Sequence, residues 1–180
     1  MNFEDLVNKA GKPIVCPKYN YVFRQGDNDD SLYFLKQGLL KAYYIGSDGK
    51  ETIKSFIQSG NVIGNLGAMH THEACTFNVI ALQDSQLIQL PFSQLIDAVK
   101  NSHEVAQKVI TILMGLSVKK ERREYEFLSL SAEERYKSFC NTSPQLLASL
   151  TQRDIALYLG ITPVALSRIK KRIDKLEASI

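Results

Sequence analysis

The side chains best suited to chemistry lie near the C-terminus, where hydroxyl, guanidinium and amine groups recur at helical spacing. They are Thr162, Ser167, Arg168, Lys170, Lys171 and Arg172. A guanidinium can donate two parallel hydrogen bonds to a guanine edge, hydroxyl groups can reach bases or phosphates, and amines neutralise phosphates. This pattern indicates recognition of a nucleic-acid groove rather than catalysis.

Capping residues predict two helices that would position these groups. Thr151 suits an N-cap with Asp154 in the first turn, and Gly160 suits a left-handed helix end. Thr162 caps the next helix, and Pro163 takes its first position, where no N–H is needed. The pattern predicts a helix-turn-helix, and its DNA-binding residues would be Thr151, Thr162, Pro163, Val164, Ser167, Arg168, Lys170, Lys171 and Arg172.

The two apolar members of this set can make only apolar contacts. We expect Pro163 and Val164 to meet a surface such as a thymine methyl group. The alternative is a helical hairpin that only packs and carries a basic face for solubility. Charge favours the DNA interpretation, because residues from Lys119 onward carry a net charge of +4, and the preceding residues carry −1.

Short strand-like runs separated by Gly, Asp and Asn extend from Ile14 to about Leu90. They include Tyr21–Phe23, Ser31–Leu35, Leu39–Ile45, Thr52–Ile57, Phe77–Leu82 and Gln86–Leu90. Their near-regular spacing predicts a small antiparallel barrel or roll, preceded by a short helix over residues 1–12. We therefore expect an α+β protein with an N-terminal antiparallel β-roll.

A long helix follows the break at Asn101-Ser102. Its apolar residues Val105, Val109, Ile112 and Leu116 recur at steps of four, three and four. This stripe favours a parallel homodimer, although packing onto the chain's own barrel fits the same spacing. Helix-capping residues then continue to the C-terminus, with a capping box at Ser131 and Glu134. The predicted domains are residues 1–100, the linker or dimerisation helix 101–128, and the helical domain 129–180.

Motifs along nearly the whole chain resemble the Crp/Fnr family of bacterial transcription regulators. They are residues 23–27, 31–38, 48–51, 62–64 and 79–85, with 159–163 and 166–169 in the tail. The resemblance implies a cyclic-nucleotide-binding-like β-roll (a double-stranded β-helix), a dimerising helix and a DNA-binding helix-turn-helix.

The effector pocket departs from the pattern of the family's cyclic-nucleotide binders. Those proteins have Gly-Glu-Leu and, about ten residues on, Arg followed by Ser or Thr. Here the matching residues are Gly64, Asn65 and Leu66, then Cys75 and Thr76. A buried phosphate without a cation is costly to desolvate, so we expect no tight cyclic-nucleotide binding. An unknown small-molecule effector, or none, stays open.

A second departure concerns the wing that often accompanies a helix-turn-helix. The chain ends soon after Lys171, and residues 139–150 are short and helix-like, so we expect no β-wing and a greater dependence on dimerisation. A metal-dependent enzyme was the rival interpretation, because Gly64, His70 and His72 match the start of a cupin motif. The further ligands are absent, since Glu73 is adjacent to His72, and His103 lies on the long helix.

The sequence indicates no disulfide, metal or catalytic site. Cys16, Cys75 and Cys140 have neither disulfide nor metal-ligand spacing, and no catalytic motif is present, so we expect no cofactor, no metal and no enzyme. Without a signal peptide or a membrane-spanning run, a cytoplasmic protein is expected. The predicted partners are double-stranded DNA and a second copy, with RNA polymerase as a further candidate. The alternative function is a small-molecule-binding regulator that acts through protein contacts.

Overall fold

The computed structural model describes residues 2–177 and forms two compact units, one ending at Gly115 and the other beginning at Leu116. The first unit combines helices with two antiparallel four-stranded sheets, and the second unit is helical in all its elements up to Glu177. This is the α+β architecture that the sequence predicts.

The first unit begins with a helix and continues as a β-roll. Its elements are α1 (Phe3–Ala10), β1 (Lys12–Cys16), β2 (Tyr21–Phe23), β3 (Ser31–Gln37), β4 (Leu39–Ile45), β5 (Glu51–Gln58), β6 (Val62–Ile63), α2 (Leu66–Thr71), β7 (Asn78–Ala81), β8 (Ser85–Pro91), α3 (Phe92–Asn101) and the start of α4 (His103–Ser129). One sheet has the order β1-β8-β3-β6 and the other β2-β7-β4-β5.

The tight connection between β3 and β4 depends on a glycine. Gly38 has a φ of +111°, and a Cβ added there would lie 2.2 Å from the Ser85 Oγ. No other residue type can bring the chain this close to the start of β8 without moving it. The turn therefore passes the chain from one sheet to the other.

Two hydrophobic clusters hold the first unit together. The inner faces of the sheets form one cluster, centred on Leu35, Leu40, Val79, Ala81 and Leu87. The second cluster joins α1, α3 and the start of α4 to the outer side of the roll, through Leu6, Val7, Leu90, Leu95, Ala98 and Val105. Because Val105 is 0% exposed, the first turn of α4 belongs to the core of this unit.

The second unit contains the end of α4 followed by α5 (Ala132–Thr142), α6 (Pro144–Ala148), α7 (Gln152–Leu159) and α8 (Pro163–Glu177). Its core consists of Tyr136, Phe139, Leu146, Ile155, Leu159, Leu166 and Ile169. The predicted capping box at the start of α5 is confirmed, since the Glu134 N–H donates to Ser131 Oγ and the Ser131 N–H donates to Glu134 Oε2. No strand occurs between Ala132 and Glu177.

Strand β1 and helix α2 are among the elements of the first unit that the sequence does not predict. Strand β1 contains Pro13, but it is an edge strand, and one missing N–H is tolerated there. Helix α2 has only six residues, which is too short to show a helical repeat. It contains His70, and His72 is its C-cap.

Candidate nucleic-acid interface

Helices α7 and α8 are joined by a turn whose caps are local. The Thr151 Oγ1 accepts from the Asp154 N–H at 3.1 Å, and the Thr162 Oγ1 accepts from the Ala165 N–H at 3.2 Å. Gly160 adopts the left-handed conformation (φ 69°, ψ 32°) that ends α7. Each of these three features agrees with the capping predicted from the sequence.

The contact between the two helices leaves one face of α8 exposed. Leu166 and Ile169 are buried, as are Ile155, Ala156 and Leu159 on α7. Side chains three and four positions apart share a helix face, so Leu166 and Ile169 define the packed side of α8. The small side chain of Ala156 permits a close approach of the two helices.

The exposed face of α8 carries most of the predicted DNA-binding side chains. Those exposed are Thr162, Pro163, Val164, Ser167, Arg168, Lys171 and Arg172. Val164 is 61% exposed, so its apolar side chain is available for contact with a partner. Donors, hydroxyls and an apolar contact thus alternate over the first turns of one helix, which is the arrangement that base reading requires.

The remaining predicted contacts already have protein partners. Arg172 forms an ion pair with Glu133 of α5 at 2.5 Å, and the Lys170 Nζ lies 3.4 Å from the Gln152 Oε1. Thr151 uses its hydroxyl to cap α7. We therefore expect these three residues to contribute less to DNA binding than the sequence alone indicates, because contact with phosphate would compete with the existing partners.

Two of the predicted effector-pocket residues, Asn65 and Thr76, are hydrogen-bonded to each other. The Asn65 side chain is buried, where its Oδ1 accepts from the Ala68 N–H at 3.1 Å and its Nδ2 donates to the Thr76 Oγ1 at 3.2 Å. It is thereby the N-cap of α2, and Leu66 beside it is exposed. A Cβ on Gly64 would lie 3.0 Å from the Ser31 carbonyl oxygen, so this segment is tightly packed.

The side of this region that faces the roll interior is filled with apolar side chains. The Cys75 side chain is buried, and its Sγ lies 3.7 Å from the Asp29 carbonyl oxygen. Phe77 packs edge-on against Phe23 with ring centroids 5.3 Å apart. The Tyr33 hydroxyl donates to Asp29 at 2.6 Å, and burial, followed by this carboxylate, raises the pKa of Tyr33 above its usual range.

Comparison with known proteins places these features in a family. The cyclic nucleotide-binding domain family matches residues 13–102. An anaerobic regulatory protein of Aggregatibacter actinomycetemcomitans is 30% identical over 184 residues, covering 96% of this chain and 70% of that protein. The transcriptional activator protein Anr of Pseudomonas protegens is 27% identical, covering 98% of this chain and 78% of that protein. The solved structure of FixK2 from Bradyrhizobium japonicum aligns over 93% of this chain and 86% of that chain, with a TM-score of 0.79 and 21% identity, which supports the fold.

The chain belongs to the Crp/Fnr family of transcription regulators. The resemblance seen in the sequence is therefore confirmed, as is the function of a DNA-binding transcription regulator of this type. The alternative, a regulator that acts without binding DNA, is not supported by these relatives.

A metal centre finds no support in this Crp/Fnr regulator. Among residues 2–177, no three His, Cys, Asp or Glu side chains are grouped so that they could hold a metal ion. His72 ends α2 with a φ of 58°, and the His103 Nε2 lies 2.9 Å from the Gln107 Nε2 on α4. Within the same described range, no helix has the length and apolar character needed to cross a membrane.

Helix α4 shows where the predicted dimerisation stripe needs correction. Val105 is fully buried and Val109 packs against the same cluster, so both face their own unit. The exposed apolar side chains of α4 are instead Ile110, Leu113, Met114, Leu116, Val118, Tyr125, Phe127 and Leu128. At about 100° per residue, Ile110, Met114, Val118, Tyr125 and Leu128 share one side of the helix, roughly opposite Val105 and Val109. We call these five residues the α4 stripe.

Two residues with structural importance for this interface were missed. Arg123 and Arg135 contact the end of α7, whereas from the sequence they are visible only as part of the positive charge that follows Lys119. Their partners lie 35 and 24 residues away along the chain, so no local spacing signals these contacts. Phe127 lies beside both guanidinium groups.

The closed effector region predicts no response to cyclic nucleotides. Calorimetric titration of the folded protein with cyclic AMP or cyclic GMP is expected to give no saturable heat, because Asn65 is engaged and no cation replaces Cys75. The melting temperature should likewise stay unchanged. A bound ligand at 100 times its Kd would increase the free energy of unfolding by roughly 2.7 kcal/mol and so raise the melting temperature. A clean isotherm with micromolar affinity would contradict this interpretation.

Proposed function

We propose that this regulator binds a two-fold-related site on double-stranded DNA as a homodimer and reads it with the N-terminal half of α8. The observation that carries this proposal is the division of α8 into a buried face, Leu166 and Ile169, and an exposed face bearing Arg168 and Val164. Two such helices, about 34 Å apart, would enter successive major grooves.

The side chains of α8 have distinct expected roles. Arg168 would donate two hydrogen bonds to a guanine, and Ser167 and Thr162 would reach a base or a phosphate. Pro163 and Val164 would make apolar contacts. Lys171 would contact phosphate. Lys170, Arg172 and Thr151 would contribute less to the free energy of DNA binding, because they already have partners within the protein.

Dimerisation is proposed to use the α4 stripe. In a two-fold symmetric interface each side chain is buried twice, so even a narrow stripe yields a substantial free energy. Ile112 and Leu116, from the originally predicted set, lie by helical spacing on the same side of α4 as Val105 and Val109, away from this stripe. Val105 and Val109 would support it only by fixing α4 to the first unit.

We propose four further properties of this regulator, which concern catalysis, location, domains and partners. We assign the chain no catalytic role and no cofactor, in keeping with relatives that are regulators, and we place it in the cytoplasm, where its DNA target lies. We retain the domains 1–100, 101–128 and 129–180 as functional divisions. RNA polymerase is a further candidate partner, and the filled roll favours an effector other than a cyclic nucleotide, or none.

Replacing Arg168 and Lys171 by alanine, one at a time, distinguishes base reading from phosphate contact. With a duplex selected from a random library, Arg168→Ala should cost roughly 1–3 kcal/mol and relax the preference at one base pair. Lys171→Ala should weaken selected and scrambled duplexes alike and reduce the slope of log K against log salt by about 0.9. Fluorescence anisotropy over a salt series measures both effects. If the wild-type protein selects no sequence at low salt, the proposed function is wrong.

Val164 predicts dependence on a thymine methyl group. Replacing thymines of the selected site one at a time by uracil, which lacks only that methyl group, should weaken wild-type binding at one position in each half-site. The loss should be about 0.8 kcal/mol or more, the free energy of one buried methyl-sized group. Val164→Ala should bind the thymine and uracil duplexes equally at that position. A wild-type protein indifferent to every such replacement would exclude this contact.

Substitutions in the α4 stripe should dissociate the dimer. Val118→Asp removes about 1.5–3 kcal/mol of apolar burial in each of two copies, so the dimer Kd should rise at least ~100-fold. Sedimentation equilibrium measures this change. Val15→Asp, at an exposed valine on edge strand β1 (74% exposed, against 60% for Val118), is the matched control and should remain dimeric. A Val118→Asp protein that sediments as a wild-type dimer would argue for another interface.

A further inference from the structure

The end of α7 requires hydrogen-bond donors that α7 cannot supply. The last four carbonyl groups of a helix have no partner within it. Two of them are satisfied by the turn, since the Ile161 N–H donates to the Ala156 oxygen at 3.0 Å and the Gly160 N–H donates to the Leu157 oxygen at 3.3 Å. The last two, on Tyr158 and Leu159, accept from side chains of other helices.

Two arginines provide these donors. The Arg123 Nη2 on α4 donates to the Tyr158 oxygen at 2.9 Å. On α5, Arg135 donates to the Leu159 oxygen from Nε at 3.3 Å and from Nη2 at 3.1 Å. The Arg135 Nη1 also donates to the Leu130 oxygen at 2.6 Å, so one guanidinium ties the α4–α5 connection to the last residue of α7. Both positive charges also lie at the negative end of the α7 dipole.

Phe127 fixes the two guanidinium groups in place. The Cζ atoms of Arg123 and Arg135 lie 4.7 and 4.9 Å from the centroid of its ring. Arg123 also lies 3.9 Å from the centroid of the Tyr158 ring. The same Phe127 ring abuts the turn, because a Cβ on Gly160 would lie 2.8 Å from its Cε1. We call Arg123, Phe127 and Arg135 the arginine clamp.

The chemistry of the clamp needs arginine. A planar guanidinium can stack on rings while its edge donates to carbonyl groups, whereas a lysine amine is a compact, more strongly hydrated charge. Burial lowers the pKa of Arg123, and contacts with Tyr158 act in the opposite direction. Burying the charge of Arg123 costs desolvation free energy, and the contacts of Arg123 with the end of α7 offset this cost.

We propose that Arg123 and Arg135 are positioning residues for DNA discrimination. The clamp holds Leu159 and Gly160, and α8 begins only three residues after Gly160, so the clamp sets the direction in which α8 leaves the turn. Hydrogen bonds to base edges require this direction, whereas attraction to phosphates tolerates some error in it. The proposal rests on the role of α8 in base reading given above.

The test compares discrimination with overall affinity. In Arg123→Met and Arg135→Met, the ratio of the Kd for a scrambled duplex to the Kd for the selected duplex should fall at least about tenfold, the effect of losing one hydrogen bond to a charged group. The Kd for the scrambled duplex and its salt slope should stay at the wild-type values. Arg122→Met is the matched control, because it removes the same charge from an exposed neighbour on α4 and should leave the ratio unchanged.

A purely structural role gives a different result. Circular dichroism melts define a temperature at which each variant is fully folded, and all ratios are measured there. If Arg123→Met does not fold, Arg123→Lys is used, since it keeps the charge but loses the stacking plane, and the same fall in the ratio is expected. A lowered melting temperature with an unchanged ratio overturns the proposal, and so does a reduced salt slope, which would make Arg123 a phosphate ligand. Failure of the wild-type protein to discriminate would instead reject the proposed function.

Discussion

The carbonyl groups at the end of α7 impose the constraint on which the DNA-binding unit depends. A helix that must end sharply before a turn leaves these oxygens without intrahelical donors. Gly160 allows the sharp end of the helix, because its φ of 69° lets the turn fold back so that its N–H groups donate to the Ala156 and Leu157 oxygens. The donors for the last two carbonyl groups, on Tyr158 and Leu159, come from Arg123 of α4 and Arg135 of α5. Their positions in this unit are thus tied to the same few atoms that direct α8.

Local signals were sufficient for every part of the interface whose partners are close in sequence. Thr151, Gly160 and Thr162 each bond within five residues, so residue type and spacing determine the caps and hence the helix-turn-helix. Arg123 and Arg135 could not be found in this way, because their partners are brought close only by tertiary packing. The ion pair of Arg172 with Glu133 is long-range for the same reason.

Apolar periodicity predicted α4 but not the direction in which each face points. Two apolar stripes run along this helix, and the regular steps of Val105, Val109, Ile112 and Leu116 make the one that starts in the core of the first unit the more visible. Only the packing of α1 and α3 against Val105 shows that this stripe begins inside that unit. The effector region illustrates a similar limit. Composition predicts the loss of phosphate binding at Asn65 and Cys75, but not that Asn65 serves as the N-cap of α2.

The last turns of α4 bring the two proposals together. Tyr125 and Leu128 belong to the exposed α4 stripe, whereas Arg123 and Phe127, by helical spacing, lie on the other side of the same turns and touch the end of α7. Association of two α4 helices through the stripe would fix the rotation of these turns about the helix axis. Because the clamp is attached to those turns, the same rotation determines where Gly160 lies. A regulator whose roll is filled can therefore still couple its assembly to DNA reading, since the coupling requires only that α4 be held in one orientation.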